Sequence, residues 1–273
     1  MMEKPDGELI RDLLPDPIRA RCSRIDVFSE IESTNSYLLD QPGPAPGSIT
    51  AVIADLQTAG RGRLANSWAS PRGAGLYLSA SCSFADMPDN LPAMSLAIGV
   101  AVAEALESLG VDSIELKWPN DIVYQDGKLG GILLEVARQT SAATTLVVGI
   151  GINIRMREAI ADDMARLGRV ADLAEAMDEP PSRDTLAAAV LAQVTEAVDL
   201  FSDEGLAPFM DRWTPRDWLK GKQVTVQSAD SLVSGTVSGL SDDGALLLDD
   251  AGDRHRVVSG SVRLQSAGSS GGA

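Results

Sequence analysis

Residues 121–136 read DIVYQDGKLGGILLEV, and this stretch decides the fold class of the chain. Two apolar runs flank the Asp126-Gly127 pair, which predicts a tight β-hairpin turn between two strands. A third apolar run, residues 145–154, follows without a helical segment in between. Because parallel strands need a crossover that is usually helical, hairpin-linked strands grouped in this way indicate an α+β fold and disfavour a dinucleotide-binding α/β domain.

The segments on either side of this hairpin give the same picture. Ser33 or Thr34 can cap a short helix, and periodic apolar residues predict helices over residues 91–109, 158–167 and 185–201. Further strands are predicted at residues 49–54, 76–82 and 114–118. Beyond residue 216 the chain shows only short strands, at 223–227, 233–238, 245–248 and 254–258. Short strands joined by Gly-, Ser- and Asp-rich turns are typical of a small β-barrel.

The chain therefore divides into four predicted parts. Residues 1–24 contain three prolines and are predicted to be an N-terminal leader that is too short to fold alone. Residues 25–215 form the main domain, residues 216–266 form the small β-barrel, and residues 267–273 form a disordered tail.

The composition excludes several classes of function. The 273 residues carry a net charge of −16, which argues against general binding to DNA or to an anionic membrane. No apolar run reaches the roughly 18 residues of a membrane helix, and two distant cysteines, Cys22 and Cys82, favour a reducing cytoplasm. His255 is the only histidine, so a zinc site is disfavoured. An enzyme of this composition would use Lys, Arg, Asp, Asn and bound Mg²⁺.

Residues 57–68 read QTAGRGRLANSW and form a basic, Gly-rich stretch in an acidic chain. Between Leu56 and Gly75 there are three arginines and no acidic residue. Glycine lets the backbone approach a ligand closely, and the donors of arginine match carboxylate and phosphate oxygens. The stretch indicates a loop that wraps a small anion, with an ordinary solvated turn as the alternative.

Both common nucleotide fingerprints are missing from the sequence. Gly127-Lys128 is followed by Leu129 where a phosphate-binding loop needs Ser or Thr, and Gly149-Ile150-Gly151 has Ile154 where a third Gly is needed. A set of polar and basic residues remains, and each alone could be a helix cap, a solvated lysine or a strand end. Their joint occurrence indicates a site: Ser33, Thr34, Asn35, Gln57, Arg61, Arg63, Lys117, Asn120, Asp121, Lys128, Gly149, Gly151 and Asn153.

In this order, these segments resemble the biotin protein ligase family. The matching pieces are ESTN at 32–35, QTAGRGR at 57–63 with Trp68, GLYLS at 75–79, KWPND at 117–121, GKLGGILLE at 127–135 and GIGIN at 149–153. GLAPFMDRW at 205–213 and GALLL at 244–248 are similar as well. The resemblance spans residues 27–264. It implies a central mixed β-sheet with flanking helices, as in class II synthetases, and an SH3-like C-terminal β-barrel.

The resemblance also implies an ATP-dependent biotin–protein ligase. Biotin and MgATP would give biotinyl-5′-AMP, and a lysine of a biotin carboxyl carrier domain of a carboxylase would then attack this intermediate. The residues implied for catalysis are Arg63, Lys128 and Asp121. Those implied for biotin binding are Ser33, Thr34, Asn35, Gln57, Gly60, Arg61, Gly62, Arg63, Lys128, Gly149 and Gly151. Those implied for ATP binding are Arg63, Trp68, Lys117, Asn120, Lys128 and Asn153, and Asp121 is the candidate Mg²⁺ ligand.

Two departures from the family pattern and three alternative functions accompany this expectation. Leu64-Ala65 stand where many members have a further basic-Gly pair, and Arg263 is offset from a basic residue that the family has near the end of its barrel.

A lipoate or octanoate ligase and a non-enzymatic biotin-binding module are the nearest alternatives. A biotin-responsive repressor would need a DNA-binding domain that the 24 leader residues cannot supply. The protein is expected to be a monomer or a homodimer.

Overall fold

A computed structural model describes residues 3–85, 90–139, 143–160, 169–228 and 231–265. The main domain is built on a seven-stranded sheet with the order β1-β2-β3-β7-β6-β5-β4. β1 pairs with β2 in parallel, and every other neighbouring pair in this sheet is antiparallel. The strands are β1 Cys22–Phe28, β2 Ile49–Ala54, β3 Gly75–Phe84, β4 Glu115–Lys117, β5 Asp121–Tyr124, β6 Gly127–Gln139 and β7 Thr144–Asn153.

Two long helices cover one face of this sheet. They are α4 Leu91–Ser108 and α7 Arg183–Glu204, which pack against each other and against the strands. By length and composition alone, both helices could cross a membrane. However, 67% of the most apolar stretch of α4 and 61% of that of α7 are buried inside the fold. Their hydropathy is therefore that of core helices. The shorter helices are α1 Gly7–Leu13, α2 Asp16–Arg21, α3 Thr34–Leu39, α5 Met156–Ala159, α6 Leu173–Ala176 and α8 Ala207–Trp213.

The N-terminal segment differs from the ragged leader expected from its prolines. Asp6 caps α1 by accepting hydrogen bonds from the backbone of the first turn, and Ile10, Leu14 and Ile18 are buried in the main core. Pro17 stands in the first turn of α2, where a missing N–H costs nothing. Residues 7–21 are therefore held by the apolar side chains that they bury against the main domain, which a short isolated segment would lack.

A second, five-stranded sheet forms the C-terminal domain. Its order is β11-β10-β9-β8-β12 and its pairs are antiparallel. The strands are β8 Gln223–Gln227, β9 Leu232–Leu240, β10 Leu246–Asp250, β11 Asp253–Val257 and β12 Ser261–Leu264. The indole Nε1 of Trp118 donates a buried hydrogen bond to the Gly244 carbonyl at 3.0 Å, which ties this domain to the turn between β4 and β5.

The predicted α+β architecture, a mixed sheet with flanking helices and a small C-terminal β-domain, is confirmed. Two strands, β1 and β12, were not anticipated. The helix expected over residues 158–167 overlaps α5 at residues 158 and 159, where α5 ends. The greater part of that prediction, residues 161–167, lies outside the described residues.

Candidate active site

One cleft collects the segments that the sequence singled out. Its floor is formed by β3, β6 and β7, and the loop Gly60–Trp68, called the arginine loop below, lies over it. The start of α3, the turn at residues 117–121 and residues 260–262 of the C-terminal domain complete its wall. Four cationic side chains and one carboxylate line it, namely Arg61, Arg63, Lys117, Lys128 and Asp121. In a chain of net charge −16, such a cleft is suited to an anionic ligand.

The arginine loop is a narrow hairpin closed by its own backbone. The Trp68 amide donates to the Gly60 carbonyl at 2.9 Å, and the Gly62 amide donates to the Asn66 carbonyl at 2.7 Å. A side chain at Gly60 would overlap the Trp68 carbonyl, so only glycine lets the two arms approach this closely. Leu64 and Ala65 at the tip have φ of 54° and 59°, a left-handed conformation that costs non-glycine residues about 1 kcal/mol each.

A network of neutral polar groups forms one end of the cleft. Ser33 caps α3 by accepting from the Ser36 amide, while the Thr34 amide donates to Gln57 Oε1 at 2.8 Å. Gln57 Nε2 donates in turn to Ser70 Oγ, and Ser79 Oγ lies 2.7 Å from Thr34 Oγ1. Thr34 and Ser79 are buried, so this end presents fixed donors and acceptors in a water-poor environment, where they discriminate most strongly among ligands.

Asn35 connects this polar end to the arginine loop. Its Oδ1 accepts a hydrogen bond from Ser79 Oγ at 2.6 Å, and its Nδ2 donates to Glu135 Oε2 at 3.0 Å. A side chain at Gly149 would overlap Asn35 Oδ1, which explains the glycine on β7. Glu135 also accepts two hydrogen bonds from Arg61, at 3.1 and 2.7 Å.

Trp68 forms part of the opposite end of the cleft. Its ring lies over β7, so that a Cβ at Gly151 would come within 2.5 Å of Trp68 Cε2. On the neighbouring strand, a Cβ at Gly131 would lie 3.3 Å from Trp68 Cζ3. The indole Nε1 is buried and has no hydrogen-bond partner within the described part of the chain. An unsatisfied buried donor beside a cleft is an available contact for a ligand.

Two cations, Arg63 and Lys128, converge beside the turn at residues 117–121. Arg63 Nη1 donates to Asn120 Oδ1 at 3.3 Å, and Asn120 is itself fixed because its Nδ2 donates to the Ile132 carbonyl at 2.7 Å. Lys128 Nζ lies 2.7 Å from Asp121 Oδ1 and 5.2 Å from the centroid of the Trp68 ring. Both side chains are therefore held at defined positions.

Burial affects the electrostatics of the cationic end. It lowers the pKa of Arg63, which the charge of Asp121 partly opposes. Burial also lowers the pKa of Lys117, with Asp121 opposing it and the positive charges of Lys128 and Lys222 adding to it. Burial of these cations costs free energy because it removes their charges partly from water. A bound anion would offset this desolvation cost by pairing with them.

The protein groups alone do not form a metal cage. Among the described residues no cluster of three His, Cys, Asp or Glu side chains has the geometry to hold a metal ion, and Asp121 is paired with Lys128. Magnesium binds many nucleotide sites through phosphate oxygens and water together with one carboxylate. Asp121 is the one carboxylate among the residues that line the described cleft, so it is the protein group that could serve such a site.

The cleft brings together all but two of the residues predicted for the site. Gly60 is buried at the base of the arginine loop and has a structural role. Asn153 is buried, and its Nδ2 donates to the carbonyls of Lys128 and Ala171 at 3.1 and 3.0 Å; its expected place beside the nucleotide stays a prediction. Asn153 thus fixes the strand that carries Lys128. Arg263 is exposed on β12, while Gly260, Ser261 and Val262 line the cleft instead.

Sequence reasoning missed two polar residues of this region, Ser79 and Glu135. Both lie within segments that carry the family resemblance, GLYLS and GKLGGILLE. The available signal was weak, because each is one of several polar residues in its strand. Their partners, Thr34 and Arg61, are 45 and 74 residues away along the chain, and the sequence gives no way to pair residues so far apart.

Known proteins resemble this chain in both domains. Residues 27–153 match the model of the biotin/lipoate A/B protein ligase family, and residues 220–264 match that of the biotin protein ligase C-terminal domain. The bifunctional ligase/repressor BirA of Escherichia coli is 38% identical over 93% of this chain and 81% of its own length. The biotin–[acetyl-CoA-carboxylase] ligase of Mycobacterium tuberculosis is 32% identical over 86% of each chain.

A solved structure agrees with these sequence relatives. The biotin protein ligase from Aquifex aeolicus in complex with biotin and ATP superimposes with a TM-score of 0.75 at 30% identity. The superposition covers 89% of this chain and all of the Aquifex chain. The likeness therefore includes the central sheet, the cleft and the C-terminal domain together.

Proposed function

This chain belongs to the biotin protein ligase family and is a biotin ligase, and we propose that it activates biotin with ATP and then transfers it to a lysine of a carrier domain. In the first step a carboxylate oxygen of biotin attacks the α-phosphorus of ATP, a C–O–P linkage forms, and pyrophosphate leaves. In the second step the neutral lysine amine attacks the acyl carbon, the bond between this carbon and the phosphate oxygen breaks, and AMP leaves. The nitrogen releases one proton, and the biotinyl group stays joined to it as an amide.

The observation that carries this proposal is the division of one cleft into two chemically different ends. The end around Thr34, Asn35, Gln57 and Ser79 offers buried neutral donors and acceptors, as a ureido ring requires. The other end offers Arg63 and Lys128, as a carboxylate and a phosphate require. A saturated octanoyl or lipoyl chain has no polar head to pair with the first set, and unpaired buried groups would penalise its binding.

For the first step, we propose that the two cations act where charge repulsion would otherwise oppose the reaction. The biotin carboxylate is already ionised at neutral pH, so no general base is needed to activate it. Arg63 and Lys128 are placed to reduce repulsion between this carboxylate and the α-phosphate. When bound, Mg²⁺ would neutralise charge on the departing pyrophosphate, and we propose that it is held by the phosphates with Asp121 as the nearest carboxylate.

For the second step, we propose that Asp121 assists the incoming amine. Nucleophilic attack needs the neutral form of the acceptor lysine, and no histidine lines the described cleft. The Asp121 oxygen that is not bonded to Lys128 can accept a hydrogen bond from the amine and orient it towards the acyl carbon. Trp68 and the arginine loop cover the intermediate and would reduce its hydrolysis by excluding water.

The partner that fits this chemistry is a biotin carboxyl carrier domain in the cytoplasm. Such a domain would present its reactive lysine at the mouth of the cleft. Both cysteines, Cys22 and Cys82, are free thiols, which suits a reducing compartment.

The proposed transfer is tested by incubating the chain with biotin, MgATP and a recombinant carrier domain, followed by mass spectrometry of the carrier. We expect one biotinyl group on one lysine, and none on a carrier whose acceptor lysine is changed to arginine. Adenylation without any labelling of the carrier would contradict the proposed second step while leaving the first intact.

A further inference from the structure

Lys117 is held in a different way from the other three cations of the cleft. Arg61, Arg63 and Lys128 each contact a polar side chain. The Lys117 ammonium makes no hydrogen bond or ion pair within the part of the chain that the structure describes, and its Nζ lies 5.5 Å from the centroid of the Trp218 ring. Burial lowers the pKa of Lys117 more than the charge of Asp121 raises it. A cation that is partly removed from water gains most from an aromatic face.

Trp218 is a buried residue in the segment between α8 and β8, and it is not among the residues that line the cleft. Its backbone amide donates to the Leu116 carbonyl at 3.0 Å, and its indole Nε1 donates to Asp126 Oδ1 at 2.8 Å. Leu116 directly precedes Lys117 on β4, and Asp126 lies in the turn between β5 and β6. The ring is therefore fixed at both its backbone and its indole end, beside the strand that carries Lys117.

A second ammonium, that of Lys222, lies over the same ring. Its Nζ is 3.5 Å from the centroid of the Trp218 ring and 3.7 Å from Asp126 Oδ1. Lys222 directly precedes β8, and its positive charge contributes to the lowered pKa of Lys117. The negative face of an indole attracts cations, so this ring offsets part of the repulsion between one cation of the main domain and one at the start of the C-terminal domain.

We propose that Trp218 is a positioning residue that holds the Lys117 ammonium at the edge of the cleft by cation–π attraction. Lys117 lines the cleft and Trp218 lies behind it, so Trp218 acts through Lys117 and not on a ligand. The contact between the two side chains depends on the chain alone. Its consequence for ATP, whose phosphate oxygens would pair with Lys117, rests on the proposed function.

The kinetic test compares Trp218→Leu with Trp218→Phe. Both variants remove the indole N–H that donates to Asp126, but only Phe keeps an aromatic face for Lys117. We expect Trp218→Leu to raise KM for ATP roughly three- to tenfold, and Trp218→Phe to recover most of this loss. The KM for biotin and kcat for adenylation should stay within about twofold, because Lys117 is expected to bind ATP without acting on the reacting atoms.

Trp213→Leu is the matched control. Trp213 is also buried shortly before the C-terminal domain, and no cation lies over its ring within the described residues. This variant should lose stability and keep the wild-type KM for ATP. If Trp218→Leu does not fold, Trp218→Met takes its place, because Met is flexible enough to fill the space and has no ring.

A double-mutant cycle tests whether Trp218 acts through Lys117. In a Lys117→Met background, Trp218→Leu should cause no further rise in KM for ATP. A wild-type KM in Trp218→Leu would overturn the proposal. Equal rises in the Leu and Phe variants would also overturn it, because they would assign the effect to the indole hydrogen bond. Full additivity with Lys117→Met would overturn it as well.

A ligand-free measurement examines the contact itself. The chain has five lysines, and dimethylation with carbon-13 keeps their charge and makes each visible by NMR. We expect the methyl signal of Lys117, assigned with Lys117→Arg, to lie upfield of that of exposed Lys4 and to move to the Lys4 position in Trp218→Leu. An unshifted Lys117 signal in the wild type would overturn the proposal. If no acid supported adenylation, the proposed function would fail, but the NMR result would stand.

Discussion

At the scale of single residues, Lys128 has the clearest assignment. Its ammonium is fixed between Asp121 and the Trp68 ring, and its strand is fixed by the side chain of Asn153. The ion pair is half-exposed, with side-chain exposures of 41% and 21%, so it contributes little to folding. Because the ammonium is held at a defined position and its ion pair contributes little to folding, the role of Lys128 is chemical rather than structural.

Lys128→Ala is therefore expected to separate activity from stability. The variant should lose roughly a hundred- to a thousandfold in adenylation rate, because a charge placed for the transition state is removed. Its free energy of unfolding should change by less than about 1 kcal/mol. Isotope exchange and urea denaturation measure the two quantities, with exposed Lys220→Ala as control. Wild-type exchange in Lys128→Ala would remove Lys128 from the mechanism.

At the scale of elements, the floor strand β7 divides the cleft into its two ends. Gly149 and Gly151 are two residues apart, so their Cα hydrogens point to the same face of the sheet. Asn35 of the neutral end occupies the space above Gly149, and Trp68 occupies the space above Gly151. The glycines are needed because each leaves room for a different side chain of the site.

Substitution of these two glycines is expected to weaken the binding of different substrates. Gly149→Ala would displace Asn35 and raise KM for biotin, whereas Gly151→Ala would displace Trp68 and raise KM for ATP. Each increase should be roughly tenfold, in the range of overpacking costs. Gly131→Ala, whose Cβ meets Trp68 at the longer distance of 3.3 Å, should affect ATP less than Gly151→Ala. Equal effects of both β7 variants on the same KM would contradict this division.

The elements also show why some parts of the fold could be predicted and others could not. Strand Ile49–Ala54 was predicted with its correct bounds, because a buried apolar run ends there at a polar turn. Strand β1 was missed because it is an edge strand with Arg24 and Asp26 inside it. The first two helices were missed because their stability comes from packing against residues far away in the chain.

The candidate site shows the same limit. Residues that share a short motif, such as Arg61 with Arg63, were identified together because their spacing carries information. Glu135 and Ser79 depend on partners that only the folded sheet brings near. Asn153 was assigned to the nucleotide because an amide at the end of a strand is equally suited to binding a ligand or to fixing a neighbouring strand. The Lys128 and Ala171 carbonyls, which accept from its Nδ2, show the second role, and the contact with the nucleotide stays a prediction.

At the scale of the whole molecule, a buried ion cluster fastens the N-terminal segment to the main domain. The Arg183 side chain is 1% exposed; it donates to Asp55 Oδ1 at 2.6 Å and to the Glu3 carbonyl. Arg72 donates to the other oxygen of Asp55 at 2.8 Å. Burial opposes ionisation of Asp55, but the hydrogen bonds from Arg183 and Arg72 outweigh it and lower the pKa of this carboxyl.

This cluster makes the stability of the protein dependent on pH in the acid range. The folded pKa of Asp55 is below its ordinary value of 3.8, so the unfolded chain binds more protons as pH falls through this region. The contribution of the Asp55 carboxylate to the free energy of unfolding is complete above about pH 5. It is lost as the pH falls towards the pKa of Asp55 in the folded protein.

Asp55→Asn should therefore be less stable than the wild type by about 3 kcal/mol at pH 7, because Arg183 stays buried without its charge partner. The difference should shrink as the pH falls towards 3, as the wild type loses the same charge. Urea denaturation of both proteins between pH 7 and pH 3 measures this dependence. A difference that stays constant over the range would show that Asp55 does not titrate as described.

The most direct test of the central claim, that this cleft adenylates biotin, is isotope exchange between ATP and pyrophosphate. The exchange is measured with biotin, octanoate, lipoate or no acid added, and it needs no carrier protein. We predict exchange that depends on Mg²⁺ and on biotin, with octanoate and lipoate giving no more than the acid-free background. Exchange supported by octanoate or lipoate and not by biotin would contradict the assignment of the neutral end of the cleft to the ureido ring.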